Sequence, residues 1–191
     1  MKVVAFNGSA RRDGNTAILV RHAFTELERE GIATELTQLA GEPIHGCRAC
    51  YKCHQAKNRR CHCDDDIVND CIARMEEADA VILASPTYVA DVSPELKALI
   101  DRTTIVARAN GHMLKRKVGA AVVAVRRAGA VHALDTINHF FQINQLIIPC
   151  SSYWNIGIGR AVGEVDGDEE GLRTMSDLGV NMAWLLKKLH A

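Results

Sequence analysis

The chain has 191 residues, 48% of them hydrophobic, enough for one well-cored domain and too apolar for a disordered one. Lys plus Arg equals Asp plus Glu at 23 each, so the net charge of zero argues against an electrostatic grip on nucleic acid or an anionic membrane. No apolar run approaches the ~20 residues of a membrane span.

The first residues, MKVVAFNGSARR, hold an apolar stretch too short for a secretory signal. A cytoplasmic, reducing location is therefore expected, where disulfides are rare and seven cysteines read better as ligands or core fillers. Lys2–Phe6 reads as a short buried strand. Asn15–Arg29 reads as a helix, with Ala17, Val20, Phe24 and Leu27 on one face. Thr34–Leu39 is a weaker strand near an edge. An irregular stretch, Gly41–Asp64, follows; an insertion of that length is usually functional. Asp66–Glu77 is helical and encloses Cys71, read as a small buried hydrophobe.

Ala78–Ala84 and Val118–Val125 are continuous apolar runs, as parallel strands covered on both faces require. Between them, Ser93-Pro94-Glu95 carries the cap, the proline and the acid that start a helix. Ala130–Phe141 is helical with Val131, Leu134, Ile137 and Phe141 inward. Leu146–Ser151 reads as the last strand, ended by a buried Cys150. Ser152–Gly167 is irregular and carries Tyr153 and Trp154. A final helix over Glu169–Leu189 has a stripe of Leu172, Met175, Leu178, Met182, Leu185 and Leu189. Strands and helices alternating five times predict an α/β doubly wound parallel sheet of flavodoxin-like order 2-1-3-4-5. A single domain over residues 1–191, with a cysteine-rich insertion at about 41–64, is expected.

Directly after the first strand, Asn7-Gly8-Ser9-Ala10-Arg11-Arg12-Asp13-Gly14-Asn15-Thr16 opens a helix. Unsatisfied N–H groups and the helix dipole suit a phosphate there, and Ser9, Asn15 and Thr16 add donors. It is neither a Walker loop nor the G-x-G-x-x-G fingerprint. Ser85–Ser93 and Arg126–Gly129 follow the third and fourth strands at their carboxyl ends, where open sheets bind ligands. Tyr88 there suits a planar ring. A guanidinium from Arg126 or Arg127 would stabilise an anionic reduced flavin.

Cys47, Cys50, Cys53 and Cys61 crowd into fifteen residues, with Cys63 just beyond. Thiolates select iron–sulfur clusters, zinc or copper(I). Two-residue steps let one turning loop offer consecutive sulfurs to a cubane. Structural zinc favours separated knuckles, although His54 and His62 stand near enough to complete a mixed site. Free or redox-active thiols are the third alternative. The basic run Lys115-Arg116-Lys117 reads as a solvated turn, and His22, His112, His132, His139 and His190 have no ligand-like neighbours.

GSARRDGNT, SPTYVADVSPELKALIDR and the late YWN, GDEEG and LGVNMAWLLK segments together resemble the NADPH-dependent FMN reductase superfamily, and within it the iron-sulfur flavoprotein branch. The resemblance implies a flavodoxin-like fold with non-covalent FMN. It implies that Ser9, Arg11, Arg12, Asn15 and Thr16 hold the phosphate. Pro86, Thr87, Tyr88 and Val89 would line the isoalloxazine, with Arg127, Ala128 and Gly129 as a third wall. It further implies a [4Fe–4S] cluster on Cys47, Cys50, Cys53 and Cys61. Cys61 is preferred to Cys63 because Asp65-Asp66-Ile67 follows it at the family offset. Three functions are then in view. One is electron transfer between a carrier such as ferredoxin or NAD(P)H and a small acceptor, in a homodimer or homotetramer with no catalytic side chain. The second is an NAD(P)H-dependent FMN or quinone reductase without a cluster. The third is a thiol redox sensor that switches its partners.

Overall fold

The computed structural model describes all 191 residues. One parallel sheet of five strands runs in the order β2-β1-β3-β4-β5. In chain order the elements are β1 (Lys2–Asn7), α1 (Asn15–Arg29), β2 (Ala33–Gln38), α2 (Lys52–Ala56), α3 (Val68–Glu77), β3 (Ala80–Pro86), α4 (Pro94–Ala109), β4 (Val118–Val125), α5 (Ala130–Ile143), β5 (Ile156–Ile158) and α6 (Glu169–Leu189), with a 3-10 turn at Glu164–Gly167 before the last.

The apolar runs of β1, β3 and β4 divide by the two-residue period of a strand. Val3, Ala5, Ala80, Ile82, Ala84, Ala120, Val122 and Ala124 pack under α1 and α6. Val4, Phe6, Val81, Leu83, Ala121, Val123 and Val125 pack under α3, α4 and α5. Both faces are buried, so these strands carry no polar alternation. The edge strand β2, sequence ATELTQ, is only partly buried and is mostly polar.

Three expectations need correction. Leu146–Ser151 is not a strand. Ile147 makes one bridge to the foot of β4, with Gly119 N–H donating to Ile147 O at 2.9 Å. Pro149 then supplies no N–H for a ladder, and the chain leaves the sheet. It returns at Asn155, whose carbonyl accepts from Val123 N at 2.9 Å, and β5 pairs with Val123–Val125 inside the stretch read as irregular. Cys150 therefore lies exposed on the detour. Second, Val131 on α5 faces outward, while Ala133 and Phe140 join Leu134, Ile137 and Phe141 in the core. On α6, Leu189 is exposed and Leu186 is buried in the stripe. Third, Lys117 is not a solvated lysine. Its Nζ donates to Glu76 O at 2.8 Å and to Ala78 O, and burial pushes its pKa down.

Candidate functional site

Four long helices, α1, α4, α5 and α6, start at the carboxyl edge of the sheet or beside it, and of these α1 and α5 begin without a side-chain cap. Ser93 Oγ caps α4 by accepting from Leu96 N at 3.3 Å, and Asp168 caps α6 by accepting from Gly171 N at 3.0 Å. Gly14 at the start of α1 supplies no side-chain cap. Its first N–H groups and the positive end of its dipole are left to a ligand.

In front of that turn lies a hollow of about 260 Å³. Ser9, Arg11, Asn15 and Thr16 form one wall, Pro86, Thr87 and Tyr88 a second, and Ala124, Val125 and Arg126 a third. Gly159 and Arg160 close it. The loop after β1 is held rigid by its own neighbours. Asn7 Oδ1 accepts from Ser9 N at 3.0 Å, Gln38 Nε2 donates to Ser9 O at 2.6 Å, and Ser9 Oγ accepts from Arg11 N at 3.1 Å. The Ser9 hydroxyl proton stays free to donate to an anion. Gly8 permits this loop to press on the next one: a Cβ there would sit 2.6 Å from Ser93 Oγ. The donors, two guanidinium groups and an uncapped helix start fit a phosphate, and the wall from Pro86 to Tyr88 fits a flat ring beside it.

Several residues read from sequence fall elsewhere. Arg12 lines a separate depression with Asp13, Arg21 and Gln38. Val89 projects fully into solvent at φ 49°, and Arg127 and Ala128 are exposed outside the hollow. Gly129 sits at φ 90° against Ala90, where a Cβ would lie 2.8 Å from the Ala90 Cα. It joins the two ring-side loops and does not itself line the hollow. Arg126, not Arg127, reaches it. Asn15 lines the hollow, yet both ends of its amide are spent on the loop after β5, donating to Ala161 O at 2.8 Å and accepting from Gly163 N at 2.9 Å.

The cysteines meet around a second, smaller cavity of about 60 Å³. Cys47, Cys50, Cys53, Cys61 and Cys63 all line it, over a floor of Arg102, Ile105 and Val106 from α4. Left-handed backbone at Ala49 (φ 48°) and Tyr51 (φ 54°) turns the chain between successive cysteines. Such strain on non-glycine residues gathers where function over-determines the backbone. Cys53 rides on α2 and is 7% exposed. Its thiol is pushed up by burial, with the neighbouring Cys61 and Cys50 adding to the effect. Burial and Cys61 act the same way on Cys63.

Asn69 on α3 fixes the last two cysteines. Its Oδ1 accepts from Cys61 N at 2.7 Å, and its Nδ2 donates to Cys61 O at 3.0 Å and Cys63 O at 3.2 Å. No three cysteine sulfurs lie within 4.8 Å of one another. A tetrahedral zinc with ~2.3 Å bonds to sulfur needs them about 3.8 Å apart, so the arrangement is wider than one zinc ion takes. The one tighter group, His45, Asp65 and Asp66, has Asp66 already committed to Arg102.

A family model described as NADPH-dependent FMN reductase matches residues 1–161. The chain belongs to that family, in its iron-sulfur flavoprotein branch. It is 37% identical to an iron-sulfur flavoprotein of Methanocaldococcus jannaschii, covering 98% of each chain. It is 28% identical to an iron-sulfur flavoprotein of Methanosarcina thermophila, covering 100% of this chain and 97% of the other. Among solved structures, RosB with a bound flavin intermediate superposes with a TM-score of 0.79 at 20% identity, over 100% of this chain and 80% of that one. A WrbA-like flavodoxin from Agrobacterium tumefaciens superposes at 0.68 with 14% identity, over 98% and 97%. At those identities the likeness establishes the flavodoxin-like fold.

As a member of the FMN reductase family, the protein is a flavin-dependent redox protein. No helix is long and apolar enough to cross a membrane. Sequence reading missed Gly159 and Arg160, because they follow a strand whose position the sequence did not reveal. It also missed Arg102, which reads as one more charge on α4 and is in fact 1% exposed.

Proposed function

We propose that this FMN reductase family member is an FMN-containing iron-sulfur flavoprotein. It would pass electrons between a one-electron carrier of the ferredoxin kind, or NAD(P)H, and a small acceptor. The observation that carries this reading is the cavity on which five cysteines converge over a buried arginine, in a chain with a flavin-type phosphate hollow.

Bound FMN supplies one- and two-electron chemistry, and a [4Fe–4S] cluster supplies single electrons. The chain's own part is to bind, orient and tune. Arg11, Arg160, Ser9 and the N–H groups of Thr16 and its neighbours would hold the phosphate. Pro86, Thr87 and Tyr88 would flank the ring, and Arg126 would offset negative charge gained there. Cys47, Cys50, Cys53 and Cys61 would ligate the cluster, with Cys63 as the spare thiol. Asn69 holds the Cys61 N–H and the carbonyls of both Cys61 and Cys63, so either thiol would be presented from a fixed backbone.

The two hollows share no lining residue. This separation supports a homodimer or homotetramer in which one copy's cysteine loop approaches another's flavin. Tyr153 and Trp154, exposed with ring centroids 4.9 Å apart, are the proposed contact.

The test is anaerobic stopped-flow with the flavin absorbance as readout. Reduced ferredoxin is expected to bleach the flavin at least about tenfold faster than NADPH alone. Equal or faster bleaching by NADPH would support the second reading, a plain NAD(P)H-dependent reductase, which the family model's description favours.

A further inference from the structure

Arg102 is the largest fully buried side chain in the protein. Its guanidinium ties both limbs of the cysteine loop to α4. Nη1 donates to His45 O at 3.1 Å, two residues before Cys47, and pairs with Asp66. Nη2 donates to Cys63 O at 2.7 Å. Its Nε is buried and makes no hydrogen bond. A guanidinium has five N–H donors, and a buried one without an acceptor is costly. What Arg102 does face is the cavity lined by the cysteine sulfurs. A guanidinium keeps its charge at every working pH.

We propose that Arg102 is a positioning residue of the sulfur site, whose unpartnered Nε–H is available to the sulfur of a bound cluster and whose charge raises the reduction potential of a cluster bound there. The inference rests on the cluster reading above. One-electron reduction adds a negative charge to the site. A fixed cation in a poorly solvated cavity stabilises the reduced form more than the oxidised one, and hydrogen bonds to sulfur act in the same direction. Asp66, paired with Nη1, opposes the effect. The pair therefore sets the potential by difference: losing the arginine leaves a bare carboxylate, and losing the carboxylate leaves a bare cation. A purely mechanical tie makes the opposite forecast, that either loss loosens the loop alike.

The experiment is an anaerobic redox titration of the full-length holoprotein, with the cluster followed by EPR. Arg102→Gln is expected to lower the reduced-to-oxidised ratio at fixed potential about tenfold, a fall of about 59 mV for a one-electron couple. Asp66→Asn is expected to shift the ratio the other way, and Arg102→Lys to stay within about threefold of wild type. If Arg102→Gln loses the cluster, the sign for Asp66→Asn decides alone: a rise supports the assignment and a fall overturns it. Equal shifts in one direction, or an unchanged Arg102→Gln, overturn it while leaving the cluster reading intact. Wild-type protein that binds FMN but holds no iron overturns both.

Discussion

Asn15 Oδ1 accepts the backbone N–H of Gly163 at 2.9 Å, joining residues 148 positions apart in sequence. The same side chain donates to Ala161 O at 2.8 Å, so the first turn of α1 and the loop after β5 form one unit. The Glu164 carboxylate completes it by accepting from Arg160 N at 2.8 Å and Ala161 N at 2.6 Å. The result is to set Arg160 on the phosphate hollow beside Arg11, whose Nη1 donates to Arg160 O at 3.1 Å. Asn15→Ala removes two hydrogen bonds of about 1 kcal/mol each, which corresponds to about 30-fold weaker FMN binding. Arg160→Ala is expected to weaken it comparably, and the double variant to add little, because both act on one contact. Fluorescence titration of flavin into apoprotein checks this; unchanged affinity in Asn15→Ala would count against the clamp.

Gly8 is tested by bulk. In Gly8→Ala the new methyl group meets Ser93 Oγ at 2.6 Å and Leu96 Cβ at 3.0 Å. Neither is the free end of a long side chain, so the loop must shift or the α4 cap must break, at about 1–3 kcal/mol. Thermal melts of apoprotein should show the loss without flavin present. A variant as stable as wild type would mean that the two loops are not pressed together.

The ion pairs of β2 give a pH-dependent prediction. Glu35 accepts from Lys2 at 2.7 Å and pairs with Arg74. The Lys2 hydrogen bond first, then the charges of Arg74 and Lys2, outweigh burial and hold its pKa below the ordinary value of 4.5. A carboxylate depressed on folding contributes stability above its unfolded pKa and loses it as pH falls through the folded value. Urea midpoints of wild type and Glu35→Gln should therefore differ at neutral pH and converge in acid below that range. A gap that persists unchanged in acid would show that the carboxylate charge is not its source.

The sheet was legible because β1, β3 and β4 announce themselves as unbroken apolar runs, and α1 and α4 as amphipathic patterns with clear starts. The strand β5 was not, because three residues, Ile156–Ile158, carry too little pattern beside Gly157 and Gly159. The earlier LIIPC run looked more like a strand, and only Pro149 argued against it. The same misplacement hid Arg160. For the flavin hollow, Ser9, Arg11, Thr16 and the loop at Tyr88 were readable from position after a strand. Arg12 and Arg127 were not separable from Arg11 and Arg126, since neighbouring residues in a loop point apart for reasons local turns decide. Arg102 was invisible: burial of a charge depends on Asp66 and two carbonyls distant in sequence.

Cys71 and Cys150 should behave as opposites toward alkylating reagents. Cys71 is 1% exposed, and burial pushes its pKa up to about 12, so in the folded protein it stays a protonated, inaccessible thiol. Cys150 is exposed on the detour before β5. Mass mapping after iodoacetamide treatment near neutral pH should find Cys150 modified and Cys71 untouched until denaturant is added. Early labelling of Cys71 would contradict the packing of α3 against the sheet.

The central claim is that one chain holds both a flavin and an iron–sulfur cluster. Its most direct test is iron, acid-labile sulfide and flavin analysis of protein purified without oxygen. The expected result is about four iron and four sulfide for each FMN, reduced to near zero iron with FMN retained in Cys50→Ala. FMN-loaded wild-type protein with less than about one iron per chain, or with zinc in its place, would contradict it.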